Sequence, residues 1–281
     1  MSDLVIQPED LQKIINKNNL KIFDCRFNLL KKELGYENYL DSHIKNAHYV
    51  NLESELSSKV TRHSGRHPLP DISDFSDFLN KHGINQTSQV IIYDDENNSM
   101  SARFWWMLRL VGIKNCSVLD GGLKAWKSLN LPVSRSVPSL GLKEKNRYSY
   151  NDKIIVATKN IMQLINNQDY LLIDARENIR FIGKKEPIDK KAGHVPGAIN
   201  MPFKNNLDEN GKFKEKSELL KMFQNLGQSK STKIINMCGS GVTACHNYLA
   251  MEYCGFGESK LYVGSWSAWS SHDENKIITE E

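Results

Sequence analysis

The chain has 281 residues, and at about 150 residues per domain this length makes room for two domains, each able to bury a core without disulfide staples. Hydrophobic residues make up 40% and charged residues 25%, the composition of a packed globular protein and not of a disordered or fibrous one. Lys and Arg number 37 against 33 Asp and Glu, a formal net charge of +4, and the basic residues are scattered as pairs, which argues against a nucleic-acid-binding surface.

No stretch approaches the roughly 18 consecutive apolar residues of a membrane helix. The opening MSDLVIQPED carries Asp3, Glu9 and Asp10 ahead of the first basic residue, Lys13, so no leader is expected and the reading places the protein in the cytoplasm. Five cysteines (Cys25, Cys116, Cys238, Cys245 and Cys254) form no C-x-x-C pair. That suits a reducing compartment and speaks against zinc; no metal and no cofactor is expected.

In chain order, short apolar runs alternate with amphipathic stretches, the pattern of an α/β fold with parallel strands. The first strand, 21–26, ends in Asp24-Cys25-Arg26 and is followed by His43-Ile44 and Ala47. The strand 90–93 leads through the acidic loop Asp94–Met100 into a helix over 101–111 closed by Gly112. Val118-Leu119-Asp120-Gly121-Gly122 and Trp126 complete the set. Residues 131–150 hold Pro132, Pro138 and Gly141 without hydrophobic period, which places a linker over 136–152 between domains 1–135 and 153–281.

The second domain repeats the order. A strand over 171–176 ends in Asp174-Ala175-Arg176, followed by His194-Val195-Pro196-Gly197-Ala198. The strand 233–237, a glycine-containing loop and a helix over 243–254 closed by Gly255 come next, then Leu261-Tyr262-Val263-Gly264 with Trp266 and Trp269. His43 follows Asp24 by 19 residues and His194 follows Asp174 by 20; Trp126 follows Asp94 by 32 and Trp269 follows Cys238 by 31. Such register implies a tandem duplication. The expected architecture is therefore α/β: two tandem domains, each a mainly parallel sheet with helices on both faces. The polar last ten residues are expected to lie on the surface or fray.

The copies differ most in the strand-to-helix loop. In the first it is Asp94-Asp95-Glu96-Asn97-Asn98-Ser99-Met100, acidic and without a nucleophile; in the second it is Cys238-Gly239-Ser240-Gly241-Val242-Thr243-Ala244. Glycines allow successive N–H groups to face one anion at a helix N-terminus, where a thiolate is stabilised relative to the thiol. A lone cysteine is more often a buried hydrophobe. That reading is kept for Cys25, Cys116, Cys254 and Cys245, whereas the flanking glycines mark Cys238 as a nucleophile. A phosphatase loop needs an arginine six positions after its cysteine to grip phosphate bidentately. This chain has Ala244 there, so the chemistry points to attack on sulfur.

With Asp174-Ala175-Arg176-x-x-x-Arg180-Phe181, Gly193-His194-Val195-Pro196-Gly197-Ala198 and the duplication, this loop resembles the 3-mercaptopyruvate sulfurtransferases of the two-domain rhodanese superfamily, over nearly the whole chain. The resemblance implies two rhodanese-like domains, the first inactive, and a persulfide on Cys238 filled from a small anionic donor. It implies release of pyruvate and emptying by cyanide or a thiol acceptor such as thioredoxin or a low-molecular-weight thiol. Gly239, Gly241, Val242 and Thr243 would hold substrate together with Arg180, whose guanidinium suits a carboxylate. Ser240 matches the serine of a Ser–His–acid relay, and His67 and Glu53, both from the first domain, match its other members, although the segment between them is longer than the family's. The second carboxylate-binding arginine implied after Glu186-Pro187 is absent, Ile188 standing there. Lys184, Lys185, Lys190 or Lys191 is left as substitute. Val263 and Ala268 stand where acidic residues are common in the family. Thiosulfate as donor, and a non-catalytic persulfide carrier, are the alternative readings.

Overall fold

The structure, a computed structural model, describes residues 3–141, 143, 145–167, 169–226, 233–257 and 259–280. The chain divides into two compact units, one of Met1–Ser58, Pro70–Asn151 and Glu209–Phe213, the other of Lys59–Leu69, Asp152–Asp208 and Lys214–Glu281.

The first unit contains, in order, β1 (Val5–Ile6), α1 (Pro8–Ile14), β2 (Leu20–Asp24), α2 (Leu34–Asp41), β3 (His43–Ile44), β4 (Ala47–Tyr49), α3 (Ile72–Lys81), β5 (Gln89–Tyr93), α4 (Ser101–Leu110), β6 (Cys116–Leu119), α5 (Gly122–Ser128) and β7 (Val133–Ser134). Its sheet runs β1-β6-β5-β2-β4, every neighbouring pair parallel, and β3 with β7 forms a separate antiparallel pair. A parallel sheet is covered on both faces, which is why Val90, Ile91, Ile92 and Tyr93 are all fully buried.

The second unit contains β8 (Ile155–Val156), α6 (Ile161–Ile165), β9 (Tyr170–Asp174), α7 (Asn178–Phe181), β10 (Ile199–Asn200), α8 (Lys216–Gln224), β11 (Lys233–Met237), α9 (Ala244–Cys254), β12 (Ser259–Tyr262) and α10 (Ser265–Trp269). Its parallel sheet runs β10-β9-β11-β12-β8, which read from the other end is the order of the first. One core cluster gathers Leu172, Ile235, Met237, Tyr262, Trp266 and Trp269.

The repeated Asp-x-Arg closes each central strand in the same way. Arg26 Nη2 lies 2.7 Å from Asp24 Oδ2 and donates to the Ser42 carbonyl at 2.7 Å. Arg176 Nη2 lies 2.7 Å from Asp174 Oδ2 and donates to the Gly193 carbonyl at 2.7 Å. The repeated histidines are structural too. His43 Nδ1 lies 2.7 Å from the Tyr39 carbonyl and the ring stacks on Tyr39; His194 Nδ1 lies 2.9 Å from the Phe181 carbonyl and stacks on Phe181.

The division differs from the one expected by composition in three places. Segment 59–69 belongs to the second unit and 209–213 to the first, the latter held by the Phe213 N–H on Asp120 Oδ1 at 2.9 Å. Residues 136–151, read as linker, belong to the first unit, where Tyr148 and Tyr150 donate to the carbonyls of Ile84 and Pro70 at 2.7 and 2.9 Å. The tail lies on the surface, one of the two outcomes expected, and is tied down there: the backbones of His194 and Ile278 exchange hydrogen bonds of 2.8 and 3.0 Å. Among the described residues no helix is long and apolar enough to cross a membrane.

One half-buried group gives this fold an acid limit. His48 packs edge-on to His82 with ring centroids 5.2 Å apart; burial first, and His82 second, push its pKa down from 6.5 to about 4. The unfolded chain accepts that proton near the ordinary value, so between the two values the unfolded state binds more protons and stability falls as pH falls. Denaturant midpoints measured across this window are expected to decline less steeply for His48→Gln than for the wild type.

Candidate active site

β11 ends at Met237 and α9 begins at Ala244; the six residues between them carry the chemistry. Cys238, 2% exposed, lies beside the buried Asp174–Arg176 pair because Met237 pairs with Asp174 across the sheet. Its Sγ accepts the Gly241 N–H at 3.2 Å. That turn requires glycine: Gly241 has φ +74°, and a Cβ there would meet the Val263 carbonyl oxygen at 2.5 Å.

The loop's carbonyls are occupied from outside. Cys238 C=O accepts the Trp266 N–H at 2.9 Å and Gly239 C=O the Ser267 N–H at 2.8 Å, while Gly241 C=O accepts from Cys245 Sγ at 3.2 Å. The Cys238 N–H donates to Ser265 Oγ at 3.1 Å. Among the described residues no acceptor meets the N–H groups of Gly239, Ser240, Val242 and Thr243. These are the unsatisfied donors of a helix start, and together with the dipole of α9 they favour an anion.

The first unit shows what such a loop holds. Asp94 follows β5 as Cys238 follows β11, and its carboxylate accepts the N–H groups of Asn98, Met100 and Ser101 at 2.9, 2.8 and 3.2 Å. Burial pushes the Asp94 carboxyl up, against the pull of those amides. Where the second copy leaves donors open, the first fills them with its own side chain.

Around Cys238 the second unit gathers a hydroxyl–imidazole pair and a charged cluster. Ser240 Oγ lies 2.7 Å from His67 Nδ1, both side chains buried. His67, expected from the first domain, belongs to the second unit through segment 59–69, a segment without hydrophobic period from which no packing partner could be read. Glu53, the acid matched to the relay, lies in the first unit, half-exposed, with its carboxylate 2.8 Å from Lys32 Nζ. Val242 is buried, and Thr243 immediately precedes α9 without a side-chain capping bond.

Arg180 is mostly buried and forks onto Glu186, Nη2 to Oε1 at 2.7 Å and Nε to Oε2 at 3.0 Å. It also reaches Asp189 at 3.4 Å. Glu186 and Asp189 were not singled out from the sequence, nor was Arg66, which pairs with Asp189 through Nη1. Burial opposes the Glu186 carboxylate, but hydrogen bonds from Arg180 and from backbone outweigh it and hold its carboxyl below the usual range. For Asp189 burial wins over Arg66 and pushes the carboxyl up. A pocket of about 400 Å³ opens beside this pair, with Arg62, Arg66, Asp189, Lys190, Lys191 and Ser267 in its wall. The lysines left as substitutes face solvent: Lys184, Lys185 and Lys190 are exposed and Lys191 pairs with Asp273 at 2.9 Å.

The matching family model is the rhodanese-like domain, over residues 7–129 and again over 157–272. The chain is 35% identical over 278 residues, 98% of each sequence, to a probable 3-mercaptopyruvate sulfurtransferase of Pseudomonas aeruginosa. It is 36% identical over 256 residues, 90% of this chain and 88% of the other, to a putative thiosulfate sulfurtransferase of Mycobacterium tuberculosis, SseB. Among solved structures, the 3-mercaptopyruvate sulfurtransferase SseA of Escherichia coli superposes with a TM-score of 0.82 at 29% identity, over 95% of this chain and all of that one.

Proposed function

Because the chain belongs to the rhodanese-like domain family, matched in both of its halves, we propose that it is a sulfurtransferase that takes sulfur from 3-mercaptopyruvate through a persulfide on Cys238. The observation that carries this reading is the loop itself: a buried cysteine whose sulfur receives the Gly241 N–H, in a turn whose other amides have no acceptor among the described residues. Asp94 in the twin loop supports it by behaving as the resident anion.

In the first half-reaction the Cys238 thiolate attacks the donor's thiol sulfur. The sulfur–carbon bond breaks, its electron pair leaves as the enolate of pyruvate, and Cys238 becomes Cys–S–SH. A proton passes from Ser240, replenished from His67 at 2.7 Å, to the enolate. In the second half-reaction an acceptor thiolate attacks the outer sulfur and regenerates the Cys238 thiolate. Negative charge on Cys238 at either stage faces the loop amides and the N-terminus of α9. Arg180, beside Gly239, holds the donor carboxylate. Glu53 is given no step.

The acceptor is a small thiol, a protein dithiol of the thioredoxin kind, or cyanide. The five cysteines are free, which supports a reducing compartment such as the cytoplasm. The reading is tested by supplying the purified protein with 3-mercaptopyruvate or thiosulfate and a thiol, and measuring pyruvate and sulfide. A specificity constant at least about tenfold higher for mercaptopyruvate is expected, because the only guanidinium the resemblance assigns to the donor is matched to a monocarboxylate. The reverse ratio would make it a thiosulfate sulfurtransferase. Failure of both donors to load sulfur would make it a carrier.

A further inference from the structure

The start of α10 grips the Cys238 loop by three backbone groups. Trp266 and Ser267 donate their N–H groups to the Cys238 and Gly239 carbonyls at 2.9 and 2.8 Å. The third contact comes from the Ser265 hydroxyl, which has one proton and gives it to the Tyr262 carbonyl at 2.8 Å. Toward Cys238 its Oγ is therefore the acceptor, of the backbone N–H at 3.1 Å. In a trans peptide a C=O and the N–H that follows it point in opposite directions. Holding the Cys238 and Gly239 carbonyls toward α10 thus turns the N–H groups of Gly239 and Ser240 the other way. These are two of the four donors that meet no acceptor among the described residues.

The first unit repeats this grip with one residue changed. At the start of α5, Leu123 and Lys124 donate to the Asp94 and Asp95 carbonyls at 2.9 and 2.8 Å. The residue that opens α5 is Gly122, with φ +57°, and the residue that opens α10 is Ser265, with φ +52°. Glycine adopts this left-handed conformation freely, whereas a residue with a Cβ is strained in it. The other non-glycine residues with positive φ among those described, Asn46, Asn98 and Asn130, are all of the type that tolerates it. The inert copy thus has the unstrained residue, and the copy with the cysteine has a strained, fully buried serine whose hydroxyl holds the Cys238 peptide. We propose that Ser265 is a positioning residue of the active loop. Its backbone strain is retained for the hydroxyl, which fixes the Cys238 peptide so that the Gly239 and Ser240 amides stay aimed at the charge on sulfur. The proposal rests on Cys238 being the nucleophile.

Two variants separate the hydroxyl from the strain. Ser265→Gly reproduces the residue of the inert copy and removes both; Ser265→Ala removes the hydroxyl and keeps the strain, so its denaturant midpoint should be the lower of the two. The readout is the second-order rate at which iodoacetamide, a neutral reagent, alkylates Cys238, followed by peptide mass mapping, the carbon–sulfur bond forming as iodide leaves. Near about pH 7 the rate is set by the share of thiolate that the loop amides sustain, and near about pH 10 the thiol is ionised in every variant. Both variants are expected to react about tenfold more slowly than wild type near pH 7 and within about twofold of it near pH 10. With mercaptopyruvate, kcat should fall while KM stays within about twofold. A Ser265→Gly protein with the wild-type rate near pH 7 would overturn the proposal and leave Ser265 a residue of the fold alone, as would a loss of rate that is the same at both pH values. Rates that fall as expected in a protein that turns over neither mercaptopyruvate nor thiosulfate would keep the role of Ser265 and overturn only the sulfurtransferase reading.

Discussion

Cys238→Ser is expected to remove sulfur transfer from every donor, by about four orders of magnitude or more, without unfolding the protein. A hydroxyl is a far poorer nucleophile than a thiolate and forms no persulfide, so both half-reactions lose their covalent intermediate. The fold should not notice. The serine Oγ can still accept the Gly241 N–H that now meets Sγ at 3.2 Å, and the bonds from the residue 238 N–H to Ser265 Oγ and from the Trp266 N–H to the residue 238 carbonyl are untouched. Steady-state rates with mercaptopyruvate and thiosulfate, beside a denaturation curve that overlays the wild type, check both halves of this expectation. Residual turnover at a tenth of wild type would mean that another cysteine carries sulfur.

The second large effect is on stability. Asp174→Ala should cost about 3–5 kcal/mol, since it strands the Arg176 guanidinium, whose side chain is 1% exposed, without its main counter-charge. Three of the four hydrogen bonds that the Arg176 side chain makes to Asp174 and Gly193 would go, leaving the one to the Gly193 carbonyl. An exposed pair such as Lys204 with Glu177 is the control, with at most about 1 kcal/mol to lose. Chemical denaturation of Asp174→Ala and Glu177→Ala measures the contrast. Equal losses would mean that the Asp-x-Arg pair does not hold the second unit together. Catalysis should suffer with stability, because the Ala175 N–H bonds the Met237 carbonyl at 2.8 Å, one residue before Cys238.

The duplication was legible because a strand buried on both faces leaves an unbroken apolar run, and the two copies keep these runs in register. Cys238 was legible for a different reason: Gly239 and Gly241 serve no purpose in a core, so they marked the cysteine between a strand and a helix as something other than packing. Asp-x-Arg and the repeated histidines were equally visible, yet their occupation is structural, an ion pair and a stacked imidazole at the end of each central strand. What stayed hidden lies in segment 59–69. Its hold on the second unit depends on single polar contacts, Arg66 with Asp189 and His67 with Ser240, and such contacts leave no periodicity to read. Arg66 is adjacent to His67, which had been singled out, and a guanidinium beside a relay histidine was the available clue. Glu53 was matched by residue type, and its pairing with Lys32 within the first unit could not be read from the sequence.

The acidic loop of the first copy, which the sequence marks as lacking a nucleophile, carries an anion of its own: Asp94 accepts three amides at and just before the start of α4. The two loops are thus one device in two states. The closed one is stable and inert, and the open one keeps its donors for a thiolate, a persulfide and the charge that develops between them.

The most direct test of that claim is the mass of the protein after treatment with mercaptopyruvate alone, with no acceptor present. Persulfide on Cys238 predicts a gain of one sulfur atom per chain, localised to the peptide containing Cys238, removed by cyanide and absent from Cys238→Ser. A gain on the peptide of Cys25, Cys116, Cys245 or Cys254, or pyruvate released with no sulfur retained on the protein, would contradict it.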